Sequence, residues 1–414
     1  MTASGETSAP GIGSSWPLTA PGPLEERLRW AETIFDHDRD LHDWQHRSLD
    51  TIFASRPIRR GSHVSDLGQR AAELPERFSL PACRATYLGV PPVAIDRDQL
   101  LGLVGTRGLL VWHDGAIVHE EYLHGHRPST RWMTNSASKL VVSMLVARAQ
   151  SDGVLGPHDT PLTTYWPELA GTAWDGVTLG HCLSMTTGVD WHEESLDLES
   201  DGCWPALIGE LVAGQIDAYV PTVGRRCQPG IEVVYSSLDT EALGGTLIRA
   251  ARASIAELMQ RWIWEPAGME ENAYWICDPS GRELALSGLC ASLRDYARLG
   301  VVLLNDGDWN GQRITPATFS HRLSHPDHEL FHMPGHDDYP LVVWEQAFLP
   351  NTLEGQAGDY MAAGSYGQLI YVNPATRTVV AHQGIGADIT TEYIDIYRLF
   401  MAFRQMSGDL AGTV

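Results

Sequence analysis

Ser136-Ala137-Ser138-Lys139 opens a stretch in which Leu140, Val141, Met144, Leu145 and Ala149 recur on one face, closed by Gly153. The spacing predicts a helix over Trp132 to Gly153. Ser136 and Lys139 are three apart, so they are neighbours one turn along the same face. A serine at a helix N-terminus lies at the positive end of the macrodipole, which favours an attacking alkoxide. The Lys139 amine can take the serine proton only when neutral, which requires burial or a nearby positive charge to lower its pKa from ~10.4.

Lys139 is also the only lysine in 414 residues; the other 28 basic residues are arginine. Arginine cannot be deprotonated and lysine can, so one explanation is that a neutral amine is needed here. Drift toward arginine with one survivor is the other. Net charge is −23, which disfavours nucleic acid and anionic membrane surfaces as partners. Residues 1–23 are rich in Ser, Gly, Pro and Ala and read as a disordered tail, not a signal peptide. No apolar run approaches the ~18 residues that span a bilayer. The six cysteines form no CxxC pair, so a reduced, cytoplasmic protein without a disulfide framework is expected.

Outward from the helix, Leu109 to Trp112 and Ala116 to Val118 flank Asp114-Gly115 and predict a hairpin. Leu24 to Asp50, Ala285 to Asn305 and Asp388 to Gln405 carry helical spacing. Gln368 to Val372 and Thr378 to His382 read as strands about Asn373-Pro374, and Pro334 to Glu354 as a covering loop. Strands at both ends with helices between imply one sheet built from both termini and a helical insertion. The expected divisions are 24–150 with 281–414 as the sheet domain and 151–280 as a mainly helical one.

A second motif follows a Pro229-Gly230 turn: Ile231-Glu232-Val233-Val234 leads to Tyr235-Ser236-Ser237. A tyrosine beside an ammonium favours its phenolate and can pass a proton between nucleophile and leaving group; an ordinary core tyrosine is the simpler reading of that residue alone. Ser136-x-x-Lys139 followed by Tyr235-Ser236-Ser237 resembles the class C β-lactamases and penicillin-binding-protein-like serine hydrolases. Trp264-Glu265-Pro266-Ala267-Gly268-Met269, Ser287-Gly288-Leu289 and Arg294-Asp295-Tyr296-Ala297-Arg298-Leu299-Gly300 match the same family. Ala362-Ala363-Gly364-Ser365-Tyr366-Gly367-Gln368 resembles its third motif. Thr163-Thr164-Tyr165-Trp166-Pro167-Glu168-Leu169-Ala170-Gly171 is similar to the branch near 6-aminohexanoate-oligomer hydrolases and esterases.

The resemblance implies an α/β (α+β) fold: an antiparallel sheet flanked by helices plus an all-helical insertion, with the site in the cleft between. It implies Ser136 as acylated nucleophile and Lys139 with Tyr235 as the proton-transfer pair. The oxyanion hole would be the backbone N–H groups of Ser136 and Ser365, the latter on an edge strand. Gly364, Tyr366 and Ser237 would border the substrate. Two departures matter. Ala362 stands where β-lactamases carry a carboxylate-binding lysine, which argues against β-lactams, and Ser237 stands where Asn is usual. Ser195 falls near a place where the 6-aminohexanoate branch has a second tyrosine, which argues against that exact substrate.

Other motifs yield less. Asp306, Asp308, Asn310 and Gly311 begin like a calcium loop, but Ala317 replaces the bidentate Glu. His321, His325, His328 and His332 recur at near-helical spacing but are interrupted by Pro326, and no metal is assigned. Walker A, Rossmann and GxSxG signatures are absent, so no cofactor is expected. Fourteen Trp and thirteen Tyr are available to line an apolar cleft. The sequence thus predicts a serine enzyme acting on a small-molecule amide or ester. Water as acceptor makes it a hydrolase, and an amine or alcohol makes it an acyltransferase. A catalytically inactive binding protein of the same fold is the rival.

Overall fold

The computed structural model describes residues 16–33, 39–82, 91–193, 202–327, 333–334, 341–350, 358–386 and 392–412. Its centre is a seven-stranded antiparallel sheet in the order 341–344, 347–350, 360–364, 368–373, 378–383, 108–113 and 116–122. Both ends of the chain do contribute to one sheet. At the Asp114-Gly115 turn both residues have positive φ (40° and 95°), the geometry whose twist matches the flanking strands.

The strands are buried on both faces, and their alternation assigns each side a partner. Leu110, Trp112, Ile370, Val372, Val379 and Ala381 pack in one core with the helix Leu293–Leu304. Leu109, Val111, Leu369, Tyr371 and Val380 pack in a second core with Ile396, Phe400 and Phe403 of the helix Glu392–Ala411. A second, four-stranded sheet, ordered 54–58, 273–277, 289–291 and 132–133, was not foreseen. Its strand Ala273–Cys277 falls inside the stretch expected to be helical. Between these elements lie the helices Trp204–Ala213 and Ser237–Ala251 and several shorter ones.

Several expectations need correction. Leu24 to Asp50 is two helices, Leu24–Thr33 and Arg39–Ile52. The helix expected from Ala285 starts at Leu293, where the Ser292 side chain accepts from the Asp295 amide. Before it, Gly288 passes under Trp275 so closely that a Cβ would lie 2.5 Å from the indole, and Leu289–Ala291 joins the small sheet. The expected covering loop contains a hairpin, Leu341–Trp344 with Ala347–Pro350, so the strand Tyr360–Gly364 is internal and not an edge. That hairpin turns on Glu345 and Gln346, both at positive φ. Gln346 is held by donating to the Cys182 carbonyl at 2.6 Å and accepting from Thr240 at 2.7 Å. These buried bonds offset the conformational cost of two left-handed non-glycine residues.

Gly300 lets the Leu293–Leu304 helix lie directly on the sheet: a Cβ there would meet Val379 Cγ1 at 2.5 Å and Ile370 Cγ2 at 2.9 Å. Gly300→Val should lower unfolding stability by ~2 kcal/mol or more, because overpacking a filled core outweighs the gain in helix propensity. Urea unfolding checks this; unchanged stability would mean that the contact is loose.

Candidate active site

The chain enters the site from the strand Trp132–Met133, turns through a 3₁₀ segment at Asn135–Ala137, and continues as the α-helix Ser138–Ser151. The α-helix therefore starts six residues later than the periodicity implied, and Ser136 sits in the tight turn before it. Asn135 enables that turn with φ 46°, a left-handed conformation that asparagine tolerates better than most residues. The helix beyond is buried on all sides from Ser138 to Ala147, so Lys139 enters the interior with 1% exposure. Its Nζ is 2.6 Å from Ser136 Oγ.

Tyr235 approaches from the segment that leads into the adjacent helix. Gly230 has φ 81° and donates its amide to the Thr186 carbonyl at 2.7 Å. The following segment reaches Ser236, whose side chain accepts from the Asp239 amide and caps the helix Ser237–Ala251. This helix packs against Ser138–Ser151. The result sets Lys139 Nζ 5.0 Å from the Tyr235 ring centroid, with Phe348 on the same tyrosine at 5.5 Å.

Ser237 is fully buried, and its hydroxyl donates to Glu193 Oε1 at 2.5 Å. Glu193 also accepts from the Ser237 amide at 2.9 Å and from the indoles of Trp191 and Trp204 at 2.5 and 2.9 Å. Four donors thus hold this carboxylate at the first turn of the helix that follows Tyr235, where a negative charge is favoured. Sequence reading missed Glu193, because a Glu in an irregular loop carries no periodic signal; two nearby tryptophans were the available hint. Ser195 lies outside the described residues.

Ser365 and Tyr366 form the turn between the strands Tyr360–Gly364 and Gln368–Asn373, with Tyr366 at φ 67°. Gly364 presses against the Ser136 turn: a Cβ there would lie 2.5 Å from the Thr134 carbonyl and 2.8 Å from the Ser136 amide. Only a residue without a side chain allows this approach. The turn is tied across by Asn135 Nδ2, which donates to the Ser365 carbonyl at 2.8 Å. The Ser136 and Ser365 backbones thereby come together, and Ala362 lies fully buried within its strand. A cavity of about 270 Å³ lined by His158, His181, Trp344 and Glu345 takes no residue from this cluster.

Burial dominates the electrostatics. It pushes the Lys139 ammonium down to about 8, while the carboxylates of Glu193 and Glu241 restrain the fall. Burial raises Glu241 to about 7, opposed chiefly by Arg282 and the Leu286 amide. It raises Asp239 to about 8, opposed by the hydroxyls of Ser236 and Thr187. Near neutrality roughly a tenth of the lysine is then a free amine, against a negligible fraction for an exposed one. A partly neutral amine 2.6 Å from a hydroxyl is an arrangement able to accept its proton. Among the described residues no group of three or more His, Cys, Asp or Glu is placed to hold a metal ion. Asp306 to Gly311 leads into the short hairpin Asp308–Trp309 with Gln312–Arg313, and His328 and His332 lie outside the described residues.

Residues 95–382 match the family model described as Beta-lactamase. The 6-aminohexanoate-dimer hydrolase of Paenarthrobacter ureafaciens is 24% identical over 314 residues, covering 72% of this chain and 77% of that protein. A solved structure from Bacillus anthracis, provisionally assigned as a 6-aminohexanoate-dimer hydrolase, superposes with a TM-score of 0.78 at 23% identity, covering 95% of this chain and 99% of that one. EstCE1, a hydrolase with promiscuous acyltransferase activity, superposes with a TM-score of 0.54 at 14% identity, over 73% of this chain and 95% of its own. These last two show a shared serine β-lactamase-like fold.

A base that works as the neutral amine gains activity as pH rises. The kcat/KM profile should climb from the acid side with its midpoint near about 8. In Glu193→Gln one of the two charges that restrain the lysine is gone, so this midpoint should move to lower pH. An unmoved midpoint in a folded variant would mean that the limb does not report Lys139.

Proposed function

Since the chain belongs to the beta-lactamase family, we propose that it is a serine hydrolase that cleaves a small-molecule amide or ester through an acyl-enzyme on Ser136. The observation that carries this reading is the lone lysine, fully buried and 2.6 Å from Ser136 Oγ. A solvated surface lysine, the outcome expected of compositional drift, would have kept its ammonium in water. The family relation and the naming of a relative as a 6-aminohexanoate-dimer hydrolase support the same class of chemistry.

In this mechanism neutral Lys139 takes the Ser136 proton as Oγ attacks the substrate carbonyl carbon. The carbonyl oxygen becomes an oxyanion facing the amides of Ser136 and Ser365. Each such donor is worth about 10²–10³ in rate. As the tetrahedral species collapses, the leaving amine or alcohol takes a proton through Tyr235, which is replenished from Lys139. Water then attacks the acyl-enzyme with the same pair acting in reverse, releasing the acid and regenerating Ser136. An added amine or alcohol that replaces water in this last step would make the enzyme an acyltransferase, and product analysis with an amine present distinguishes the two.

The absence of lysine at Ala362 supports neutral substrates over β-lactams. A β-lactam carboxylate left without a cation in a partly dehydrated cleft costs several kcal/mol. We also place the enzyme in the cytoplasm, on the reading of its cysteines; no described helix is long and apolar enough to cross a membrane.

Ser136→Ala should abolish turnover, and activity within tenfold of wild type would refute the nucleophile. Lys139→Arg should lose about 10²–10⁴, as should Tyr235→Phe, because guanidinium stays protonated and phenylalanine cannot relay. Equally, a short-chain p-nitrophenyl ester should show a higher kcat/KM than nitrocefin. The reverse order would restore a β-lactamase reading.

A further inference from the structure

We infer that Asn135 and His46 are positioning residues that lock the Ser365 turn onto the nucleophile turn, so that the oxyanion donors are fixed before substrate arrives. This rests on the acyl-enzyme reading above and adds to it two residues and the N-terminal helix Arg39–Ile52. That helix precedes the matched family segment, which begins at residue 95.

The chain of bonds is continuous and has one consistent assignment of hydrogens. His46 Nδ1 is 2.8 Å from the His42 carbonyl, which can only accept, so Nδ1 carries the hydrogen. In the neutral ring Nε2 is then an acceptor. It lies 3.3 Å from Asn135 Nδ2, whose other hydrogen goes to the Ser365 carbonyl at 2.8 Å. Both hydrogens of one amide are thus used to join three segments: the N-terminal helix, the residue before the nucleophile, and the oxyanion turn. Both residues are buried, at 8% and 5% exposure, so water does not readily substitute for either bond.

The ring is also held in place. His46 stacks on Trp132 at 5.1 Å and meets Tyr366 edge-on at 5.7 Å, while His42, one turn along the same helix, packs 4.9 Å from Tyr366. Burial holds His46 down to about 4, with His42 and Arg107 lowering it and the His42 carbonyl and Asp43 carboxylate opposing. Nε2 therefore stays an acceptor through the neutral range. Asn135 meets two demands at once, since its φ of 46° suits asparagine or glycine while only asparagine supplies the amide.

That pairing provides the test. Asn135→Gly keeps the left-handed turn and removes only the side-chain bonds. Its kcat for a p-nitrophenyl ester should fall about 10–100-fold, less than or near the loss of one oxyanion donor, with KM within about threefold. Phosphonylation of Ser136 by a fluorophosphonate, followed by mass spectrometry, should slow in parallel, and Tm should stay close to wild type. His46→Gln, which keeps an acceptor, should retain more activity than His46→Leu. Unchanged kcat and phosphonylation in Asn135→Gly would overturn the inference. So would losses that merely track a fall in Tm, or equal activity of the two His46 variants. If the wild-type adduct maps away from Ser136, the acyl-enzyme reading falls first and this inference with it.

Discussion

The site depends on an amine that has been taken out of water beside a hydroxyl. An exposed lysine is charged by more than three decades at neutral pH and cannot accept a proton. Placing Lys139 inside a helix that is buried on every side changes that, and two carboxylates at Glu193 and Glu241 keep the change moderate. Without them a buried ammonium would be costlier to hold, and the amine would be a weaker base. The position between these extremes is set by packing around the buried helix Ser138–Ser151.

The surrounding architecture serves that placement. The Ser365 turn ends an internal strand that pairs along its length with Gln368–Val372 on one side and meets Phe348 at Met361 on the other. Gly364 lets that turn contact the Ser136 backbone directly. From the other side, Glu193 fastens the start of the Ser237–Ala251 helix through four donors and so holds Tyr235 over the lysine. The hairpin Leu341–Pro350 is tied by Gln346 to the helical side at Cys182 and Thr240, and it brings Phe348 against Tyr235. The elements that carry Tyr235 and Ser365 are therefore anchored at a second place, and Ser136, Lys139 and Tyr235 are held in position by the fold itself.

Much of this was legible in the sequence, for definable reasons. Periodicity and turn chemistry carried the Asp114-Gly115 hairpin and the strands about Asn373-Pro374. The Ser136–Lys139 spacing and the solitary lysine pointed to the same pair that the fold brings together. The helix starts were misplaced where tertiary pairing overrode propensity: Trp132–Met133 and Leu289–Ala291 are apolar enough to continue a helix, but they are claimed by the small sheet. The hairpin at Leu341–Pro350 hid because its turn uses Glu345 and Gln346 in place of glycine or asparagine. Glu193 and His46 were invisible because their roles come from partners distant in the chain.

A chain with one lysine permits a direct measurement of the state of that lysine. Protein grown with lysine labelled with ¹³C at Cε gives one side-chain signal, from Lys139, whose shift can be followed with pH in the folded enzyme. Burial against Ser136 predicts a titration midpoint near about 8. A midpoint near ~10.4, the value of an exposed amine, would contradict the account, because Ser136 would then have no base beside it.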